Sequence, residues 1–536
     1  MNVSSLRFWT MLLLISLILS AATLFAQTPS SSLNKIQTRA ERTRYVETSR
    51  YIDVMEFLNK VDAASLLIQL TSMGYTYEGR SMPLAIVGKV KAATPEAVKA
   101  TGKLRVYIQG NIHAGEVEGK EAVQEILRAI AMGKHAKWLD QMVLLINPIY
   151  NADGNERVNL MNRGGQHGPI GGMGQRANAQ DYDLNRDHTK LDSPEARSLA
   201  RMMTEYDPHL FLDLHTTNGT RHAYYVTYES PLNPATYPGI IDLLRKELLP
   251  TVTKTIKQKD GWDLFYYGNA SRGRTGTTIE PAWYTSEPLP RYNNNYVGMR
   301  NRLGILCEVY SYLTFEDRIK AARRFTEEVL NYVQTHGDAI RKVTGDADRD
   351  NVVGKELALR SKPLKWPEKV EVLLGETVEE RNPYSGAMMW KRTDVRKPEM
   401  MTWYGTFEAS ETGKVPNTYY VPATLRRIVD RLTAHGIQFT KLEKSLTVKG
   451  EQFRIDSMSV AAREYQTHKE RTVIGTWEPV DQTIPAGTLV VPMNQPLARL
   501  IFLVLEPRAE DSFVRWNLMD DVIERSKIYP IFRTME

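Results

Sequence analysis

The chain has 536 residues, 42% hydrophobic and 25% charged, with a formal net charge of +6. That length exceeds one ordinary core, so two domains are expected, and so small a charge with no lysine or arginine block argues against a nucleic-acid partner. The single cysteine, Cys307, excludes intramolecular disulfides; inside "LGILCEVY" it reads as a small buried hydrophobe rather than a catalytic thiol.

The N-terminus, "MNVSSLRFWTMLLLISLILSAATLFAQTPSSS", sets Arg7 before an apolar run from Phe8 to Leu19, with Ala26 ahead of a Ser/Thr/Pro-rich exit. This is the layout of a secretory signal peptide, residues 1–26, cleaved after Ala26, and it implies a periplasmic or extracellular protein. An uncleaved membrane anchor is the competing reading, because the apolar stretch is almost long enough to span a bilayer. Residues 35–70 follow with a helical pattern, amphipathic at "DVMEFLNKVDAASLLIQLTSMG".

From there to about residue 345, strand-like runs alternate with helical patterns. The runs are "PLAIVGKV", "LRVYIQG", "MVLLINPI", "HLFLDLH", "HAYYVTY" and "LGILCEV"; the helices are "GKEAVQEILRAIAMG", "SPEARSLARMMTEY" and "EDRIKAARRFTEEVLNYVQTHG". Near-continuous apolar strands between helices predict an α/β domain whose sheet is covered on both faces. The polar stretch "TGDADRDNVVGKE" (344–356) reads as a linker between a first domain, 27–345, and a smaller mixed α/β domain, 357–536. The second domain has one clear helix, "PATLRRIVDRLTAHG", closed by Gly436. Its apolar runs "AGTLVVPM" and "ARLIFLVLEP" follow, and "TWYGTF" and "NPYSGAMMW" supply exposed-looking aromatics.

The chemistry lies where the strands stop. "LRVYIQGNIHAGE" passes from an apolar run to His113 and Glu116, and "HLFLDLH" ends on His215. In an open α/β sheet, ligands bind beyond the carboxyl ends of strands. Two imidazoles and a carboxylate meeting there suit a catalytic zinc, with a coordination position left for water. The absence of H-E-x-x-H excludes a helical zincin site. "AQDYDLNRDHTK" sets Asn185 beside Arg186, a pair suited to a substrate carboxylate. Glu308, inside its own apolar strand, is a candidate general base. His167 reads as a loop histidine rather than a ligand, and His188, His209 and His222 have no evident metal-binding partner and read as structural.

The ordered set H-A-G-E, N-A-D-G, D-L-N-R-D, D-L-H and C-E-V resembles the zinc carboxypeptidases (funnelins), over about residues 45 to 340. The likeness is to secreted bacterial forms with an extra C-terminal domain. It implies a mixed, twisted eight-stranded sheet between helices and one zinc ion held by His113, Glu116 and His215. It further implies Asp183 orienting the first ligand imidazole, Asn185 and Arg186 receiving the terminal carboxylate of a peptide, and Glu308 as general base to a zinc-activated water. An arginine steadying the oxyanion is expected at Arg176, with Arg163 the alternative. A tyrosine covering the substrate is expected at Tyr296, with Tyr292 and Tyr284 the alternatives. The glycine-rich stretch "NRGGQHGPIGGMGQR" is expected to be a flexible loop beside the site. Two other functions keep the same residues: a zinc amidase on cell-wall peptides or acylamino acids, and an inactive relative serving as a binding module.

Overall fold

The computed structural model describes residues 33–271 and 280–536; the expected signal peptide lies outside the described residues. In chain order the strands are Ile68–Tyr75 (β1), Ser81–Val87 (β2), Leu104–Gly110 (β3), Met142–Asn147 (β4), Leu210–Thr216 (β5), Val226–Glu229 (β6), Leu264–Tyr266 (β7), Asn269–Ser271 (β8), Ala282–Tyr284 (β9) and Leu303–Val309 (β10). Strands β1 to β7 and β10 form one mixed eight-stranded sheet, ordered β1-β2-β4-β3-β5-β10-β6-β7. β4, β3, β5 and β10 run parallel at its centre, and antiparallel pairings of β1 with β2, β2 with β4 and β6 with β10 flank them.

Strand alternation decides which side chain enters which core. Val106, Ile108, Leu144, Leu212 and Leu214 join helices Tyr51–Ala64, Glu118–Ala131, Leu249–Asp260 and Phe315–Thr335 on one face. The residues between them, Tyr107, Val143, Leu145 and Phe211, meet helix Pro194–Glu205 on the other. Burial on both faces is why these strands read as unbroken apolar runs. The chain leaves β3 toward β4 on one side and reaches β5 on the other, so a crevice opens at the carboxyl ends of β3 and β5. That is where His113 and His215 stand.

Three expectations change. The amphipathic segment at 53–74 is not one helix: it is helical only to Ala64, and the apolar residues from Ile68 alternate as edge strand β1. In "HAYYVTY" only the second half joins the main sheet, as the start of β6, while His222 makes an isolated bridge to Leu374. The first six residues of the expected linker at 344–356 are the end of helix Gly337–Arg349, whose Ile340, Thr344 and Ala347 are buried, and only the remainder is a connection.

The C-terminal half packs closely on this frame. Strands Val370–Arg381 (β11) and Met388–Tyr404 (β12) form a hairpin whose end runs parallel to β9, so both halves share a sheet. A six-stranded sheet and helix Ala498–Leu505, buried on every side, build a further core that takes in Ala235, Tyr296 and Met299 from the first half. The aromatics expected to be exposed are mostly committed: Trp403 is buried against Phe265, Tyr266 and Trp366, while Tyr384 stays exposed. Among the described residues, no helix is long and apolar enough to cross a membrane.

Candidate metal centre and active site

β3 ends at Gly110, and Asn111, with φ of 68°, turns the chain toward the crevice. Asn111 Nδ2 donates to the Ala114 carbonyl, and the Glu116 N–H donates to the His113 carbonyl at 2.8 Å, so the HAGE segment closes on itself. Gly115 is required at this turn, since a Cβ there would meet Arg163 Nε and the Gly174 carbonyl at 2.8 Å. His215 and Glu308 are register partners on the parallel strands β5 and β10, so their side chains leave the same face of the sheet.

These elements bring His113, Glu116 and His215 together, with ligand atoms all within 4.8 Å of one another. His113 Nδ1 is 2.9 Å from Glu116 Oε1, and His215 Nδ1 is 2.8 Å from Glu116 Oε2. The opposite ring nitrogens are each held by a carboxylate: His113 Nε2 by Asp183 Oδ1 at 3.0 Å, His215 Nε2 by Asp213 Oδ2 at 2.8 Å. A carboxylate that accepts from Nε2–H leaves the Nδ1 lone pair free for a metal and fixes the ring. The buried N, N, O donor set, with both rings so oriented, fits zinc. Asp213 was not singled out from the sequence, although D-x-H on a strand places both side chains on one face.

Electrostatics follow from burial and from these pairs. Burial works to raise the Glu116 carboxyl, but His113, Arg163 and His215 hold it well below the usual carboxylate range. Asp183 is likewise held well below its ordinary value, against burial, by His113, Arg186 and Arg176. Glu308 behaves oppositely: burial, aided by the charges of Glu116 and Glu229, pushes it up to about 8, and its Oε2 is buried with no protein hydrogen-bond partner. A buried carboxyl with a spare oxygen and a raised pKa, beside a metal-ligand cluster, is equipped to exchange protons.

A cleft of about 720 Å³ opens over this cluster; His113, Glu116, His215, Glu308, Asn185 and Arg186 all line it. Both candidate arginines are in the wall. Arg163 lies 2.5 Å from Glu116 Oε1, whereas Arg176 donates through Nε to Asp183 at 2.9 Å and is 3.7 Å from Glu116. The glycine-rich loop carrying Arg163 is clamped by the C-terminal hairpin through the Trp390 N–H to the Gly165 carbonyl and His167 Nε2 to Glu380 at 2.7 Å.

Tyr296 is misplaced for the role expected of it. It is 1% exposed in the core between the two halves, and its hydroxyl meets His435 Nδ1 at 2.9 Å and Arg300 at 3.1 Å. Its position on the inner face of helix Asn293–Met299 turns it away from the cleft. Tyr284 stacks on Tyr404 outside the cleft. Tyr292 does line it, with its ring under the Arg186 guanidinium at 4.0 Å and its hydroxyl donating to Glu287 at 2.6 Å. Tyr267, partly buried at the cleft wall, was not anticipated because nothing in its local sequence marks it.

Residues 54–246 match the family described as zinc carboxypeptidase. The first half of the chain therefore carries a zinc carboxypeptidase domain over this span. The matched span contains His113, Glu116, Asp183, Asn185, Arg186 and His215 and stops short of Glu308. Among curated proteins it is 24% identical over 477 residues to Carboxypeptidase 2 of Trichophyton tonsurans, covering 85% of this chain and 81% of that one. Against Carboxypeptidase 2 of Trichophyton rubrum the identity is 23% over 481 residues, with the same coverages. Both alignments therefore run well into the C-terminal half. Among solved structures, a metallo-carboxypeptidase from Burkholderia cenocepacia gives a TM-score of 0.40 at 17% identity, covering 54% of this chain and 70% of that one. Carboxypeptidase A from Helicoverpa armigera gives 0.39 at 12% identity, covering 57% and 75%.

Proposed function

We propose that this metallocarboxypeptidase is an exported enzyme that removes C-terminal residues from peptides with a free carboxylate, using Glu308 as general base. The observation that carries the reading is one cleft lined by both kinds of group. The ligand cluster and Glu308 line it together with Asn185 and Arg186. Arg186 is available to an incoming anion: its closest carboxylate, Asp183, is 3.8 Å away, and the Tyr292 ring supports its guanidinium from one side.

His113, Glu116 and His215 would hold one zinc ion, which supplies Lewis-acid polarisation of the scissile carbonyl and of water. Asp183 and Asp213 keep the two ligand rings in the required tautomer. Arg186 and the Asn185 amide bind the substrate's terminal carboxylate and so place the last peptide bond beside Glu308. Glu308 takes a proton from the attacking water and delivers it to the leaving amine. Arg176 or Arg163 offsets the negative charge that develops on the carbonyl oxygen, and Tyr292 takes the covering role expected of Tyr296. Residues 27–345 supply this chemistry, and 357–536 form the accessory part.

The test uses protein beginning at Gln27, loaded with zinc, on paired free-acid and C-terminally amidated peptides, with products read by mass spectrometry. Ladders from free acids alone, absent in Glu308→Gln, support the reading. Cleavage of acylamino acids or cell-wall peptides without such ladders would replace it with an amidase.

A further inference from the structure

Asn293 joins two parts of the site that the sequence keeps far apart. It is 1% exposed and opens helix Asn293–Met299. Its backbone N–H donates to Asn185 Oδ1 at 2.8 Å, and its side-chain Nδ2 donates to Asp213 Oδ2 at 3.0 Å. That Asp213 oxygen also faces His215 Nε2. Each bond has a chemical consequence. A backbone N–H can only donate, so the Asn185 oxygen must face it, and the Asn185 NH₂ is left as the donor available to the cleft. The bond to Asp213 holds the carboxylate that orients His215, leaving Gln109 Nε2 to approach its other oxygen at 3.3 Å.

The placement of Asn293 is set in turn by the C-terminal half. Two residues earlier, the Arg291 backbone N–H and Nε donate to the two oxygens of Asp511, and its Nη1 donates to Glu470 Oε1 at 2.8 Å. The Arg291 guanidinium lies 4.2 Å from the Trp516 ring centre and is buried. Asp511 belongs to a segment 220 residues further along the chain.

We infer that Asn293 is a positioning residue that orients both the Asn185 amide and the His215–Asp213 pair, and that the C-terminal half, through Asp511 on Arg291, holds it in place. This rests on the carboxypeptidase reading for Asn185 and on the metal centre alone for Asp213. The full-length chain is tested as Asn293→Asp, Asn293→Ala and Asp511→Asn, with zinc affinity measured by chelator competition and kcat and KM measured on a free-acid peptide at saturating zinc. Replacing the amide by a carboxylate or a methyl removes the donor to Asp213, so both Asn293 variants should bind zinc at least about tenfold more weakly, the usual scale for outer partners of ligand histidines. Asp511→Asn leaves every side chain of the site intact and should raise KM severalfold with a smaller change in kcat.

Zinc affinity within twofold of the parent in a folded Asn293 variant overturns the metal half of the inference. An unchanged KM in Asp511→Asn overturns the role of the C-terminal half. If neither Asn293 variant folds, Asp511→Asn alone decides, by the same zinc and KM readings. A weaker zinc site in a protein that hydrolyses no peptide would leave this inference standing and remove the proposed activity instead.

Discussion

Replacing Arg186 with alanine tests the substrate-binding assignment most directly. The guanidinium is held by its Nη1 bond to the Asn185 carbonyl at 2.8 Å and by the Tyr292 ring, with Asp183 no nearer than 3.8 Å. Arg176, by contrast, is committed to Asp183 through Nε at 2.9 Å and a second nitrogen at 2.8 Å. A carboxylate arriving in the cleft therefore meets Arg186 as the cation with the least to give up. Losing one charged hydrogen-bonding partner costs about 2–4 kcal/mol of transition-state binding, or roughly 30- to 900-fold in kcat/KM. Because the interaction begins in the ground state, much of that loss should appear in KM. The assay compares Arg186→Ala with the parent on a free-acid peptide and on its amidated copy. The loss belongs to the free acid, since an amide offers Arg186 no charge. A proportionate fall on both peptides, or no fall on the free acid, would refute the assignment.

Glu308→Gln should retain one zinc per chain and a nearly unchanged KM while kcat falls by about 10²- to 10⁴-fold, because the amide cannot accept the proton; a metal assay beside steady-state kinetics checks both parts. Tyr296→Phe should lower unfolding free energy by about 0.5–1.5 kcal/mol through lost bonds to His435 and Arg300, with kcat unaltered, whereas a fall in kcat would return Tyr296 to the cleft. Burial lowers His188 to about 4 and His222 and His435 to about 3. Their folded values lie below the ordinary 6.5, so their contribution is complete above that pH and is lost as pH falls toward 4 and 3. Denaturant midpoints measured with chelator present should drop between pH 7 and pH 4.5, by up to about 1.4 kcal/mol per pH unit for each such histidine, and His188→Gln should flatten that slope.

Much of the first half is legible in the sequence. Buried parallel strands must be apolar along their length, so β3, β4, β5 and β10 announce themselves, and His113, His215 and Glu308 stand out as the polar groups at or beyond their ends. The D-L-N-R run and HAGE turn are likewise local, because their geometry is set by neighbours a few residues away. Asp213 was equally local and went unread, since its role depends on strand alternation rather than on its own run.

What resisted reading was decided by contacts between distant segments. Tyr284, Tyr292 and Tyr296 fall within a short stretch of similar composition, and nothing in it separates them. Packing does: Tyr296 turns into the core against His435, Tyr284 stacks on Tyr404, and Tyr292 alone faces the cleft. The first part of the linker expected at 344–356 is helix because Ala347, with Ile340 a turn or two earlier, has a core to bury against. Nothing local marks Asn293 or Arg291, because the partners that fix them, Asp213, Asp511 and Glu470, come from distant segments. Strand periodicity and ligand spacing are written in adjacent residues, so the sequence alone determines the candidate metal-binding set and the sheet that carries it. Which side chains orient that set, and which of the three tyrosines lines the cleft, are properties of surfaces that meet only when the two halves fold together.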